Sequence, residues 1–191
     1  MMIVMQTIRY LDKILSETTQ KGTFVFGIDT LATLFAGYDA AYLRMIASRA
    51  VKNNILTRIC SGVFLYAKSQ AIDYSSVLYK TARLLRNKSF NYLSLESVLS
   101  DESIISQQML AWITVMTTGR SGIVDCGKFG HIEFVHTAKK IDKIMPDVSY
   151  DLYINMFRAT PKLAYADMRR TRRPTIDLVD TNLLNEYDAS I

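Results

Sequence analysis

Asp39-Ala40-Ala41-Tyr42-Leu43-Arg44-Met45-Ile46-Ala47-Ser48-Arg49-Ala50-Val51-Lys52-Asn53-Asn54 is the stretch on which the fold turns. Leu43, Ile46, Ala47, Ala50 and Val51 stand at i, i+3, i+4, i+7 and i+8, the spacing of one apolar helical face. Tyr42, Arg44, Met45, Ser48, Arg49 and Lys52 occupy the other side. Asp39 is placed to cap the helix, and Asn53-Asn54 to end it. The result is a rod with one stripe for a core and one for the outside.

Upstream, Ile8, Leu11, Ile14 and Leu15 mark a first helix over Ile3 to Glu17, stopped at Lys21-Gly22. Phe24-Val25-Phe26 predicts a short strand. Asp29 is expected to cap a second helix of about two turns carrying Leu31, Leu34 and Phe35, and Ala36-Gly37-Tyr38 to turn the chain into the third. Downstream, Ile55 to Ile59 and Val63 to Ala67 predict two strands joined by Cys60-Ser61-Gly62, with Gly62 giving the hairpin its freedom. Helix, helix, turn containing glycine, basic amphipathic helix and hairpin is the order of a winged helix-turn-helix, whose later helix enters the DNA major groove.

Charge agrees with that order. The chain of 191 residues has 23 Lys and Arg against 18 Asp and Glu, a net of +5. No acid occurs from Ala40 through Ile72, whereas Arg44, Arg49, Lys52, Arg58 and Lys68 all do. A one-signed stretch suits a polyanion. Arg and Lys release counterions from phosphates, Arg reads guanine bidentately, and Ser contacts either base type. Tyr42, Arg44, Ser48, Arg49 and Lys52 are therefore the expected groove contacts, with Arg58 and Lys68 on the hairpin holding phosphates. A three-helix bundle with a merely soluble face explains the helices, but not turn, charge and hairpin together.

The remainder, 71–191, is expected to be a mixed α/β domain following a DNA-binding domain over 1–70, an α+β chain in all. A helix is predicted from Tyr74 to Arg86, with Lys80 and Arg83 on its outer side. A strand follows over Phe90 to Leu95, and Ser94 is expected to cap a short helix to Ser100. Ala111 to Thr117, Ile123 to Cys126 and His131 to His136 read as three strands of an antiparallel meander, turned at Gly119-Arg120-Ser121-Gly122 and Gly127-Lys128-Phe129-Gly130. Tyr150 to Phe157 reads as one more strand. Thr160-Pro161 opens a last helix running to Arg173. Four arginines close it: Arg169, Arg170, Arg172 and Arg173. Basic residues suit a helix C-terminus, but four in five exceed that need, so contact with nucleic acid or an acidic partner is a second expectation. The tail after Thr175 carries acids and no base, and either folds back on those arginines or is loosely held.

Catalytic patterns fail. His131 and His136 are an odd number apart on a predicted strand and face opposite ways, and no Cys-x-x-Cys pair assists Cys126. No metal and no cofactor are expected. Gly119 to Gly122 has neither the spacing of a nucleophile elbow nor the length and Lys of a P-loop. A nuclease of the Asp…Glu-x-Lys type needs Lys two residues after Glu133, where Val135 stands. The chain is thus not expected to be an enzyme. Two cysteines offer no disulfide framework, Met1-Met2-Ile3-Val4-Met5 lacks the basic flank of a leader, and no apolar run reaches membrane-spanning length, so a cytoplasmic setting is expected.

Several segments together resemble the AbiEi antitoxins. They are Leu31-Ala32 with Leu34-Phe35, Ile55-Leu56-Thr57-Arg58-Ile59-Cys60-Ser61-Gly62-Val63-Phe64, Tyr92-Leu93-Ser94-Leu95-Glu96-Ser97-Val98-Leu99, Thr114-Val115-Met116-Thr117-Thr118-Gly119-Arg120-Ser121, Gly130-His131-Ile132-Glu133-Phe134-Val135-His136, and Ala159-Thr160-Pro161-Lys162-Leu163-Ala164-Tyr165-Ala166-Asp167. Their order spans about residues 7 to 170. The resemblance implies an antitoxin of a type IV toxin–antitoxin system in bacterial abortive infection, a phage defence. It implies a winged helix that represses its own operon at inverted repeats, as a monomer or weak dimer assembling on the duplex. It further implies a C-terminal domain that counters a nucleotidyltransferase-type toxin without a stable complex. Alternatives are a module that binds the toxin directly and a stand-alone winged-helix regulator. The arginine cluster and the acidic tail are this chain's own departures.

Overall fold

In a computed structural model, the chain forms two compact units, residues 1–77 and 78–191. The structure describes every residue except 1, 20, 21, 36, 107, 108, 190 and 191, and no side chain of 2–5, 188 or 189. The expected stop at Lys21 and the turn residue Ala36 lie outside the described residues.

The first unit runs α1 (Met2–Thr19), β1 (Val25–Gly27), α2 (Ile28–Leu34), α3 (Ala40–Lys52), β2 (Leu56–Cys60) and β3 (Val63–Tyr66). Its sheet is antiparallel, in the order β1-β3-β2. Phe26 lies opposite Phe64 and Arg58 opposite Phe64 on the other side, with a register shift between Arg58 and Cys60. Gly62 takes φ +75° at the β2–β3 turn, and its carbonyl accepts the Ile28 amide at 2.8 Å, tying the hairpin to the start of α2. Leu11 and Leu15 of α1, Leu31 and Phe35, the α3 stripe Leu43, Ile46, Ala47 and Ala50, and Phe26, Leu56 and Phe64 form one core. Asp39 caps α3 as expected, its Oδ1 accepting the Tyr42 amide at 2.7 Å. Asp29 does not cap α2. The N-cap is Gly27, without a side-chain bond, and Asp29 lies in the first turn, where its charge still suits the helix dipole.

The second unit contains α4 (Val77–Leu85), β4 (Asn91–Leu93), α5 (Glu96–Asp101), β5 (Trp112–Thr117), β6 (Gly122–Asp125), β7 (His131–His136), β8 (Val148–Asp151), β9 (Met156–Ala159), α6 (Pro161–Arg170) and α7 (Thr181–Ala189). Six strands form a mixed sheet in the order β6-β7-β5-β4-β9-β8. β5 and β7 are parallel, as are β4 and β9; the other pairs are antiparallel.

The expected meander is therefore corrected. β6 pairs with β7 alone, and β5 sits on the far side of β7. Burial explains the order: Ile113 to Thr117 are all buried and need a strand on each side, whereas Gly122, Ile123 and Asp125 are exposed and suit an edge. The 118–121 connection is no hairpin turn. It is held across the strand ends by the His136 amide donating to Ser121 Oγ at 2.8 Å and by His136 Nδ1 lying 2.7 Å from the Gly119 carbonyl oxygen. Gly130, at φ +111°, closes the β6–β7 hairpin so tightly against Ala111 that a Cβ there would stand 1.8 Å from the Ala111 carbonyl oxygen.

Tyr150 to Phe157 is likewise not one strand. It is the β8–β9 hairpin, turned by Asp151, which accepts the Tyr153 amide at 2.8 Å, and by Asn155 at φ +53°. Leu152 is 85% exposed at the tip, whereas Ile154 and Met156 are buried. Ser94 does not cap α5; Leu95 holds that position at φ +58°, and Ser94 is buried beneath it. Thr160 does cap α6, accepting the Leu163 amide at 3.3 Å with Pro161 in the first turn. That helix ends at Arg170, short of Arg173, because Thr171 closes it and Arg172 turns to φ +54°. The predicted helix from Tyr74 begins as a 3-10 turn over Tyr74–Ser76 and becomes α-helical at Val77.

Candidate nucleic-acid interface

With Leu43, Ile46, Ala47 and Ala50 buried, the periodicity of α3 turns Arg44, Arg49 and Lys52 outward, and all three are exposed. Arg49 and Lys52 also lie in the last turn, where positive charge opposes the carbonyl end of the helix. Asn53 closes that end, its Nδ2 donating to the Arg49 carbonyl at 2.8 Å.

Ser48 is half-buried and links the helix to the hairpin, accepting a 3.5 Å bond from Arg58 Nη2. The exposed Arg58 guanidinium lies 5.4 Å from the Phe64 ring centroid, so its stem rests on the sheet while its head reaches α3. The Ser48–Arg58 bond thus ties α3 to the hairpin, and Arg44, Arg49 and Lys52 are exposed on the same helix, with no acid in the segment that carries them.

Two predicted contacts sit differently. Tyr42 is half-buried against the core, stacked on Tyr38 with ring centroids 4.9 Å apart and planes at 11°. The exposed ring is Tyr38, which continues an aromatic row through Phe35 to Tyr10. The spacing Phe35, Tyr38, Tyr42 was the available signal for that row. Lys68 is engaged, its Nζ 2.6 Å from Asp12 Oδ2 on α1. Tyr66 donates to the other oxygen of Asp12 at 2.9 Å, and its phenol is pushed up to about 12, first by burial and then by the Asp12 bond and charge.

In the second unit the candidate cations separate. Lys80 on α4 is half-buried and Arg83 exposed. Arg169 and Arg172 are exposed; Arg170 pairs with Asp167 one turn back. Arg173 turns inward: Nε lies 2.6 Å from Glu96 Oε1, and Nη1 and Nη2 lie 2.5 and 2.9 Å from the two oxygens of Glu133. The Glu133 bonds, then Glu96, hold its guanidinium above the ordinary arginine value against the opposing effect of burial. Among the described residues, Asp167 is the carboxylate partner of Arg170, and Glu96 and Glu133 are those of Arg173.

Asp167 is itself buried and takes 2.9 Å bonds from the Tyr92 hydroxyl and Ser94 Oγ. Burial raises its carboxyl above the usual range in spite of those bonds, and burial together with Asp167 raises the Tyr92 phenol. Asp125 accepts the Gly127 amide at 2.7 Å. Cys60 and Cys126 are both buried. Among the described residues no three His, Cys, Asp or Glu gather to hold a metal, and no helix is long and apolar enough to cross a membrane. Neither protein-family models nor curated proteins match the chain.

Proposed function

We propose that residues 1–77 form a winged helix-turn-helix that binds duplex DNA, with α3 in the major groove and the β2–β3 hairpin as the wing. One observation supports this above the others. Arg44, Arg49 and Lys52 project from α3 beside Arg58 of the hairpin, joined through Ser48, in a stretch free of acids from residue 40 to 72. Lys68 and Tyr42 have smaller parts, the first because Asp12 neutralises it and the second because it packs on Tyr38.

Together with the segments that resemble AbiEi antitoxins, the reading is a cytoplasmic autorepressor that also counters a nucleotidyltransferase-type toxin. One chain offers one reading helix, so an inverted repeat takes two copies. The test is binding to the DNA upstream of the chain's own gene. With about six phosphates engaged, affinity should fall on the order of 1000-fold between 50 and 200 mM salt. Arg49→Ala and Lys52→Ala should each weaken it, and unchanged binding in both removes α3 from the groove. Co-expression with a nucleotidyltransferase encoded next to the gene tests the antitoxin half: restored growth supports it, and DNA binding without protection leaves a stand-alone regulator. A direct toxin contact is the second reading, favoured by the exposed Arg169 and Arg172. Co-purification of both proteins, lost on Arg169→Ala with Arg172→Ala, is its signature.

A further inference from the structure

The second unit holds a cavity of about 370 Å³, within the size range of small-molecule sites. Glu96, Glu133 and Arg173 line its inner part, with Thr175 beside them, Trp112 as an aromatic wall and Leu110 as an 82% exposed lip. The sequence marks Arg173 as a candidate contact but not the cavity, because Glu96 and Glu133 reach it from 77 and 40 residues away.

Its donors and acceptors are unevenly used. Three of the five N–H groups of the Arg173 guanidinium donate to carboxylates, Nε to Glu96 and one from each terminal nitrogen to Glu133. Thr175 Oγ spends its hydrogen on Glu96 Oε1 at 2.6 Å. The carboxylates retain capacity. Each Glu133 oxygen takes one bond and has room for a second, and the Glu96 side chain, only 2% exposed, leaves Oε2 without a hydrogen-bond partner among the described residues. A buried carboxylate oxygen left so is costly, and a ligand N–H relieves it. Two carboxylates against one guanidinium give the cavity a formal charge of −1. An anion would meet a guanidinium already held by two carboxylates and would face both acids. Trp112 is held in place by stacking on His131, centroids 4.9 Å apart, and offers a π surface to a cation.

We propose that this cavity is a receptor for a small organic cation: a guanidinium or ammonium group, directed at Glu133 and Glu96, on an apolar stem lying along Trp112 and Leu110. The group is supplied either by a free small molecule or by an arginine side chain of a peptide. The site is independent of the DNA-binding reading, which concerns the other unit.

Trp112 is the single tryptophan of the chain, so its emission reports the cavity directly. The full chain is titrated with butylguanidinium, with its neutral isostere butylurea, with an end-blocked Gly-Arg-Gly peptide, and with AMP as an anion, with calorimetry alongside. Expected is a saturable response to butylguanidinium or the arginine peptide, with butylurea at least about tenfold weaker, since it lacks the charge and sets an acceptor in place of one donor. The cation that binds better names the source. Glu133→Gln should weaken cation binding about tenfold. Because that change also loosens Arg173, Leu110→Lys is the control on the exposed lip: it should repel the cation severalfold while the unfolding midpoint stays in place. No saturable response to either cation, equal binding of butylurea, or tighter binding of AMP overturns the proposal.

Discussion

Two helices of this protein end in positive charge, and the ends have opposite fates. On α3, Arg44, Arg49 and Lys52 face outward and form no ion pair with a described residue. At the end of α6, Arg170 pairs with Asp167 while remaining exposed, Arg173 is drawn inward to Glu96 and Glu133, and Arg169 and Arg172 stay exposed without a carboxylate partner among the described residues. The denser run of arginines is thus the less available one. What separates the ends is the placement of acids. Around α3 the sequence supplies none for 33 residues, whereas the acids that capture Arg173 arrive through tertiary folding from 77 and 40 positions away.

The sharpest way to break that contrast is to treat the two exposures as equal. Arg173→Ala should destabilise the second unit by roughly 3–5 kcal/mol, because it leaves buried carboxylates uncompensated, while Arg172→Ala should stay within about 0.5 kcal/mol. Denaturant unfolding followed by Trp112 emission measures both, and equal effects erase the distinction. Next in size are the α3 cations. Arg44→Ala and Arg49→Ala should each cost about 1–3 kcal/mol in DNA affinity with the unfolding midpoint unmoved, and Arg169→Ala should leave DNA binding alone. Fluorescence anisotropy with promoter DNA decides this.

A smaller effect belongs to Asp167. Its carboxyl is raised by burial, so the folded state holds that proton more tightly than the unfolded chain does. The stability this contributes is complete below the ordinary carboxylate value and lost as pH rises through the folded one. Asp167→Asn should therefore gain on wild type as pH climbs from 3.5 toward 7 in paired unfolding curves; a constant difference removes the cause.

The least effect is expected from Asp12→Ala. Freed from its partner, Lys68 should strengthen DNA binding by no more than a few fold, as for an exposed pair worth about 0–1 kcal/mol. Ultraviolet titration should find the Tyr66 phenol below its present value of about 12 but above 10, because burial remains the larger cause.

How much was legible in the sequence follows the same division between near and far. The stripe and cap of α3 and the turn at Gly62 are decided within a few residues, and the folded chain has them where the pattern places them. Thr160-Pro161 was readable for the same reason. The Asp29 and Ser94 caps failed because Gly27 and Leu95 stand at those helix starts, and Ser94 spends its hydroxyl on Asp167, 73 residues away. The meander failed for a related reason: alternation marks Trp112 to Thr117 and His131 to His136 as strands but says nothing of which neighbours which. The central place of β5, with β7 beside it, goes with burial from Ile113 to Thr117. In Tyr150 to Phe157, an apolar alternation ran straight through a turn set by Asp151 and Asn155. In the candidate interface, the outward face of α3 was readable, whereas the capture of Lys68 by Asp12, 56 residues earlier, was not.

The closure at Gly130 also bears on how this protein can vary. With the Ala111 carbonyl oxygen 1.8 Å from where any Cβ would begin, even alanine has to prise apart the hydrogen bond from the His131 amide to Ala111. A deep mutational scan should show one blank column at codon 130, a monomorphic site inside a hairpin whose outer strand, solvent-facing at Ile123, tolerates many spellings.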